Sequence, residues 1–538
     1  MYFHPLFTIL ISSALLIANY RNDKIFNFIA IVCPLIVIAT IYQLTGIHYW
    51  DFDTFRVSAD YSYNNKLISM AFALVITSAN LYSISQNKKN ELIIGTTYGG
   101  FSILAVMAAD FISLFVAIEI MMIFSGALIF IGGHRKSIRA AKKYFLTHIL
   151  SSNMIVIGIA YLITKNNHID IIPLTNLIGN ESYSQTILFI MFTGLIINIA
   201  VFPFSGWMAN YYAQASASGF LYLITFTTKV SIFILIKLFP GSELLVYVSI
   251  AMILYAGFKA LFENNLFSLL CYLSIIAMGF MLLGIAQGSV VALYAATNYL
   301  FIHILYKSLL SILVATLSDQ SKIHLCTELK KISNKNIIIA FIVAIAVMIN
   351  LPITPSFFNK IAISSFYLSS PVYYLIIIVG ILNAASVPWR RYFSAKDSIT
   401  LNLNFYNKAS IYLILTSIIA SFFYIADASL NSIFSAHALK QVVIIIAGII
   451  LCILLKKSRK TGASLNLIEL IANIFFYFYN RWKHKENHAV IEESWSVGSL
   501  EKQILGKISK IHNQQTAIFI VFLLFIALLL TMIYSNFS

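Results

Sequence analysis

Apolar runs of bilayer length follow one another along nearly the whole chain. A run of about 17–25 such residues crosses a hydrocarbon core of about 30 Å as one helix. Inside that core every backbone N–H and C=O must be satisfied within the protein, so only helices and closed barrels span it. A barrel needs short segments of alternating character, and these runs are continuous. The chain is therefore read as all-α, a polytopic membrane protein of about 14–16 transmembrane helices. Composition agrees: 60% of the 538 residues are hydrophobic and only 10% are charged, against about 25% charged in a soluble domain.

Counting the runs gives about sixteen segments, at 3–19, 25–45, 67–85, 91–109, 111–131, 143–164, 187–205, 217–239, 243–262, 266–287, 290–317, 337–369, 372–388, 409–428, 438–455 and 516–534. The segment at 337–369 is too long for one straight span and contains Leu351-Pro352-Ile353-Thr354-Pro355, so it reads as a broken helix. The segment ending at Phe202-Pro203-Phe204-Ser205-Gly206 reads the same way. The N-terminal FHPLFTILISSALLIANY has neither a basic n-region nor a small-residue cleavage site and is expected to be a first helix.

Loop charge sets an expected orientation. If the segments alternate, one set of loops carries Arg21, Lys24, Lys88, Lys89, Arg135, Lys136, Arg139, Lys142, Lys143, Lys330, Lys331, Lys335, Arg390, Arg391 and Lys396. The opposite set carries Asp51, Asp53, Asp60, Asp170 and Glu181. The basic side is expected to be cytoplasmic, with the N-terminus outside. Residues 456–515 form one long basic, non-spanning cytoplasmic segment before the last helix, 516–538. Its Leu465–Tyr479 stretch fits an amphipathic surface helix, and a plain tether fits equally.

The net charge of +16 is explained by these loops rather than by nucleic acid. Cys33, Cys271, Cys326 and Cys452 are scattered with no CxxC pair, which argues against a cluster or zinc site. No Walker loop or strand–GxGxxG–helix unit is present, and no cofactor is expected.

Five ionisable residues interrupt otherwise apolar spans: Glu119, Lys229, His303, Lys307 and Lys360. A charge at mid-bilayer costs about 2.5–3.5 kcal/mol even on lenient scales. Snorkelling or a helix-end position explains one such residue, but an ion path explains all five better. Three threonines, Thr225, Thr227 and Thr228, precede Lys229 and offer oxygens to water or an ion. His303 and Lys307 share a helix face by their spacing of four. Lys360 follows the break at Pro352, and discontinuous helices mark ion sites in transporters, often one per repeat. The two breaks suggest repeats over 91–239 and 243–388, flanked by helices in 1–90 and 389–455. Lys237, beside Pro240, is explained by snorkelling.

Over roughly 90–395 the chain resembles the antiporter-like subunits shared by respiratory complex I and Mrp-type Na⁺/H⁺ antiporters, the D-like Mrp subunit and complex I subunits M and N in particular. The resemblance is carried by LFVAIEIMMIFSG, IRAAKKYFLTH, FPFSGW, the spacing of Lys229 and Lys237, SIIAMGF, HILYKSLL and LPITPSFFNK, in order. It implies two inverted five-helix repeats, each with a broken helix, and a buried polar axis. By that resemblance Glu119 takes the role of the key glutamate, Lys229 the central lysine, His303 and Lys307 the next helix's pair, and Lys360 the terminal lysine.

The departures are specific. The family lysine that pairs with the glutamate falls at Asn198, the LPxAH after the tryptophan is lost at Met208-Ala209-Asn210-Tyr211-Tyr212, and the histidine of SISHMGF is Ala277. Asn198 offers a carbonyl but no charge, which weakens the first repeat's path and leaves the second intact. The resemblance first implies a D-like, proton- or cation-translocating subunit of a multisubunit Na⁺/H⁺ antiporter in a bacterial inner membrane. The alternatives are a proton-pumping, non-redox subunit of NADH–quinone oxidoreductase, or a non-conducting structural subunit. The expected partners are other hydrophobic subunits, the lipid bilayer, and protons with Na⁺ or K⁺.

Overall fold

The computed structural model describes residues 5–52, 55–166, 170–388, 395, 397–426 and 436–454. They all lie in one compact unit, residues 1–464. The expected interfacial segment and the last span, 516–534, lie outside the described residues.

The other fifteen expected stretches fall on helices. In chain order these are α1 (Pro5–Ala18), α2 (Asp23–Gln43), α3 (Tyr63–Ser85), α4 (Lys89–Met107), α5 (Phe111–Phe130), α6 (Arg135–Asn166), α7 (Gln185–Asn198), α8 (Gly206–Tyr211), α9 (Ala217–Leu223), α10 (Thr227–Leu238), α11 (Leu244–Phe262), α12 (Leu266–Gln287), α13 (Val290–Ser321), α14 (Lys335–Met348), α15 (Pro355–Ser365) and α16 (Val372–Ser386), then helices Phe405–Ala426 and Ala436–Leu454. Nine spans among the described residues are long and apolar enough to cross a membrane, and shorter apolar helices accompany them. The chain is an all-α, multi-pass membrane protein.

Helices α9, α10, α12 and α13 form the centre, and their apolar residues are hidden nearly all round. Helices α2, α5 and α11 are peripheral and leave residues such as Phe28, Ile123 and Tyr247 exposed. A helix apolar on every side suits either setting, so exposure to lipid is decided by packing. Small residues permit close approach. A methyl added to Gly126 would stand 2.2 Å from the Phe145 ring, and one on Gly158 would stand 2.4 Å from Met191. Buried Asn80 of α3 ties four helices together. Its Nδ2 donates to the Ala30 carbonyl of α2, and its Oδ1 accepts from Thr96 of α4 and Tyr222 of α9.

Both expected breaks are present, and they share one construction. Helix α7 ends with left-handed Ala200, φ 61°. The Val201 N–H reaches back to the Ile196 carbonyl and the Ala200 N–H to that of Ile197. Helix α14 ends with left-handed Asn350, φ 58°. The Leu351 N–H reaches the Ala346 carbonyl and the Asn350 N–H that of Val347. This paired pattern satisfies carbonyls that a helix end otherwise leaves open. In each case a side chain beyond the break adds a further bond: Trp207 Nε1 donates to the Ile197 carbonyl and Ser356 Oγ to that of Val347.

A third interruption lies where one straight span was expected. Residues 217–239 divide at Ile224–Phe226, between α9 and α10. Thr225 Oγ1 turns back to the Leu221 carbonyl, the local competition by which threonine weakens a helix. The Thr227 N–H is met by Tyr98 Oη at 2.9 Å.

Between α2 and α3 lies a feature outside the expected helices, an antiparallel pair of strands, β1 (Ile47–Phe52) and β2 (Phe55–Asp60). Buried Asp110, the cap of α5, fastens this hairpin to the bundle. Its carboxylate accepts from the backbone N–H and the hydroxyl of both Ser58 and Ser113.

Candidate functional site

Lys229 lies in the first turn of α10 and is fully buried. Its Nζ donates to the Ile224 carbonyl at 2.6 Å and to Thr228 Oγ1 at 3.2 Å. The group thus closes the interruption in its own span. Thr225, within that interruption, meets Ser308 of α13 hydroxyl to hydroxyl at 3.4 Å.

One turn from this contact, α13 carries His303 and Lys307, 0% and 1% exposed. The spacing suggested that these two would pair. Instead His303 Nδ1 bonds Tyr306 Oη at 2.7 Å, while His303 Nε2 and Lys307 Nζ have no hydrogen-bond partner among the described residues. Helix α10 packs on α13, and the Thr225–Ser308 contact joins the Lys229 end of that span to the stretch of α13 that bears His303 and Lys307. The structure therefore brings Lys229, His303 and Lys307 into one buried group. Ammonium groups buried in one low-dielectric neighbourhood repel, so a proton placed on one disfavours a second on the other.

Lys360 lies on α15 just past the second break and is 6% exposed. Its Nζ stands 4.4 Å from the centre of the Phe280 ring, a cation–π contact. A methyl on Gly380 would make ordinary contact with Nζ at 3.5 Å but would stand 2.8 Å from Ile444.

Glu119 stands apart. It lies on α5 between Val116 and Ile123, which are 42% and 53% exposed, so the carboxylate shares the outward face. No hydrogen bond or ion pair reaches it among the described residues. The position expected to face it, Asn198, is 2% exposed and turned to another residue: its Oδ1 accepts from His148 Nδ1 at 2.8 Å.

Sequence reasoning missed His148, which lies in the IRAAKKYFLTH stretch with Thr147, Ser151 and Ser152 close by. That cluster of polar side chains within one span was the available signal. Lys237, explained in the sequence by snorkelling, has defined partners: its Nζ donates to the Val106 and Ala108 carbonyls at 2.8 and 3.1 Å. A cation at the end of α4 satisfies open carbonyls and suits the helix dipole.

A family model described as NADH:quinone oxidoreductase/Mrp antiporter, transmembrane, matches residues 108–384. This range contains all five ionisable positions and both expected breaks. NADH-quinone oxidoreductase subunit N of Desulforudis audaxviator is 28% identical over 267 residues, 47% of this chain and 53% of that protein. Subunit M of Rickettsia prowazekii is 23% identical over 419 residues, 71% of this chain and 84% of that protein. The match thus spans about half of the first relative and most of the second. Among solved structures, a chain of the membrane-bound sulfane sulfur reductase, an archaeal respiratory membrane complex, superimposes with a TM-score of 0.69 at 15% identity, covering 83% of this chain and 98% of that one. At that identity the likeness speaks for the fold. The chain belongs to the NADH:quinone oxidoreductase/Mrp antiporter family of membrane subunits.

Proposed function

We propose that this chain is a proton-translocating membrane subunit of a respiratory complex of the NADH–quinone oxidoreductase type. Protons pass along Lys229, His303, Lys307 and Lys360, and Glu119 biases the charge of that path from its edge. The observation that carries this reading is the buried group of Lys229, His303 and Lys307 beside an interrupted span. Burying three basic groups together is costly, and mutual repulsion makes their loading sequential. Lys360, beyond the α14–α15 break, supplies the next station. The matching ends of α7 and α14 support two repeats, 91–239 and 243–388, each with its own break. The basic loops support an N-terminus outside and residues 456–515 in the cytoplasm of a bacterial cell. By sequence alone, a D-like member of a multisubunit Na⁺/H⁺ antiporter ranks first. The subunit N and M relatives favour the complex I type, and the family description keeps the antiporter as the second reading.

The test is proton movement in inverted vesicles of the native membrane, with Glu119→Gln and Lys360→Ala. Both are expected to lower the rate about a hundredfold, the low end of what one proton-transfer group contributes. Wild-type rates in both would overturn the reading. Mass spectrometry of what co-purifies separates the two settings: peripheral redox subunits for the first, small antiporter subunits for the second.

A further inference from the structure

Asn198 carries no charge, yet its oxygen holds His148. Both side chains are buried, 2% and 3% exposed. An amide oxygen accepting from Nδ1 fixes the ring proton there and leaves a lone pair on Nε2. Nε2 has no hydrogen-bond partner among the described residues, nor has Ser152 Oγ one turn along α6. His148 and Ser152 line the same narrow, partly enclosed cavity, whose other walls come from α5, α7 and α10 through Met121, Asn198 and Val230. The other hydroxyls around it are engaged. Tyr144 Oη bonds Ser125, Thr227 Oγ1 bonds Tyr98, and Ser231 Oγ donates to the Thr227 carbonyl. The space open to a water centre is about 10 Å³, close to what one water needs. Two orphaned polar atoms on one such cavity call for a bridging guest.

The geometry points to His148 as the proton-loading group of the first half, standing in for the cation missing at position 198, with one water held between Nε2 and Ser152 Oγ. This rests on the proton-path reading above. The step balances. A hydrated proton entering the cavity is taken by the Nε2 lone pair, giving imidazolium and water. Nδ1–H then donates to Asn198 and Nε2–H to the water, and release returns the proton from the same nitrogen without turning the ring. Asn198 is the last residue of α7, so the cation forms at the negative end of that helix, where positive charge is favoured. Helices α5 and α10, which bear Glu119 and Lys229, both wall the cavity.

The experiment measures proton movement in inverted native-membrane vesicles, normalised to the amount of assembled chain. His148→Gln retains a donor toward Asn198 but carries no proton, and the expected loss is about a hundredfold. Adding Asn198→Lys to it returns a cation and is expected to restore the rate to within about tenfold, which a packing role would not allow. A wild-type rate in His148→Gln, with Glu119→Gln and Lys360→Ala impaired in the same membranes, overturns the assignment and leaves the path standing. Wild-type rates in all three overturn both. If His148→Gln does not accumulate, Ser152→Ala decides: a slower rate at normal abundance supports the bridged water, and an unchanged rate overturns it.

Discussion

Trp207 Nε1 donates a hydrogen bond to the Ile197 carbonyl, 2.9 Å away and across the break after α7. Trp207 is fully buried, so this bond closes a polar group that water does not reach. Trp207→Phe keeps an aromatic ring and removes the donor. The Ile197 carbonyl keeps the Ala200 N–H, so the expected cost is that of one hydrogen bond, about 0.5–1.5 kcal/mol. Ser356→Ala, at the corresponding place after α14, is expected to cost about the same, because Val347 likewise keeps its backbone donor from Asn350. Thermal unfolding of the purified protein in detergent checks both, and a Trp207→Phe midpoint equal to wild type would refute the role.

Lys229 has two tasks that substitution can separate. Lys229→Gln retains a donor for the Ile224 carbonyl, whereas Lys229→Met removes it. Both are expected to lower proton movement by about a hundredfold. Only Lys229→Met is expected to lose an additional 1–3 kcal/mol or so of stability. Equal melting temperatures for the two variants would show that the carbonyl contact contributes nothing to the fold.

Asp110→Asn tests the fastening of the hairpin to α5. Asparagine remains a good helix cap, but it offers one acceptor oxygen where four donors from Ser58 and Ser113 converge. The expected cost is about 1–3 kcal/mol. Protease cleavage within 47–60 of the purified protein in detergent is expected to quicken, and unchanged cleavage would count against this role.

Gly194→Ala tests the approach of α7 to α6. A methyl there would stand 2.7 Å from the Ser151 carbonyl oxygen and 2.9 Å from Ile155. Backbone cannot swing aside as a side chain does, so the expected cost is about 1–3 kcal/mol. Gly46→Ala, where a methyl meets nothing but φ is 77°, is expected to cost about 1 kcal/mol from backbone strain alone. Unfolding midpoints rank the two, and the reverse order would show that α6 and α7 separate easily.

Much of this fold was legible because a bilayer admits so few backbone solutions. The apolar runs located the helices, and Pro352 and Pro203 located two of the breaks. The interruption at Ile224–Phe226 was not legible. Its residues are as apolar as a continuous helix, and it depends on Tyr98, distant in sequence, to satisfy Thr227. The buried lysines were legible as charges in apolar surroundings, but their partners were not. Spacing places both Tyr306 and Lys307 on the face of His303, and only the packed structure shows which one bonds. His148 went unnoticed because a lone helical histidine resembles ordinary packing until Asn198 is seen against it. The hairpin at 47–60 was too short and too mixed in character to register beside helices of bilayer length.

The bond from Lys229 to Ile224 gives the proposed proton path a mechanical side. A charged donor makes a bond about twice as strong as a neutral one. On the proposed path, release of a proton from Lys229 would take part of the stiffness from the joint between α9 and α10, and reloading would restore it. Thr225 touches Ser308 at that joint, beside Lys307, so the proposed path would couple the two lysines through solid contact as well as through charge. The interrupted span is then a spring set by its own cargo.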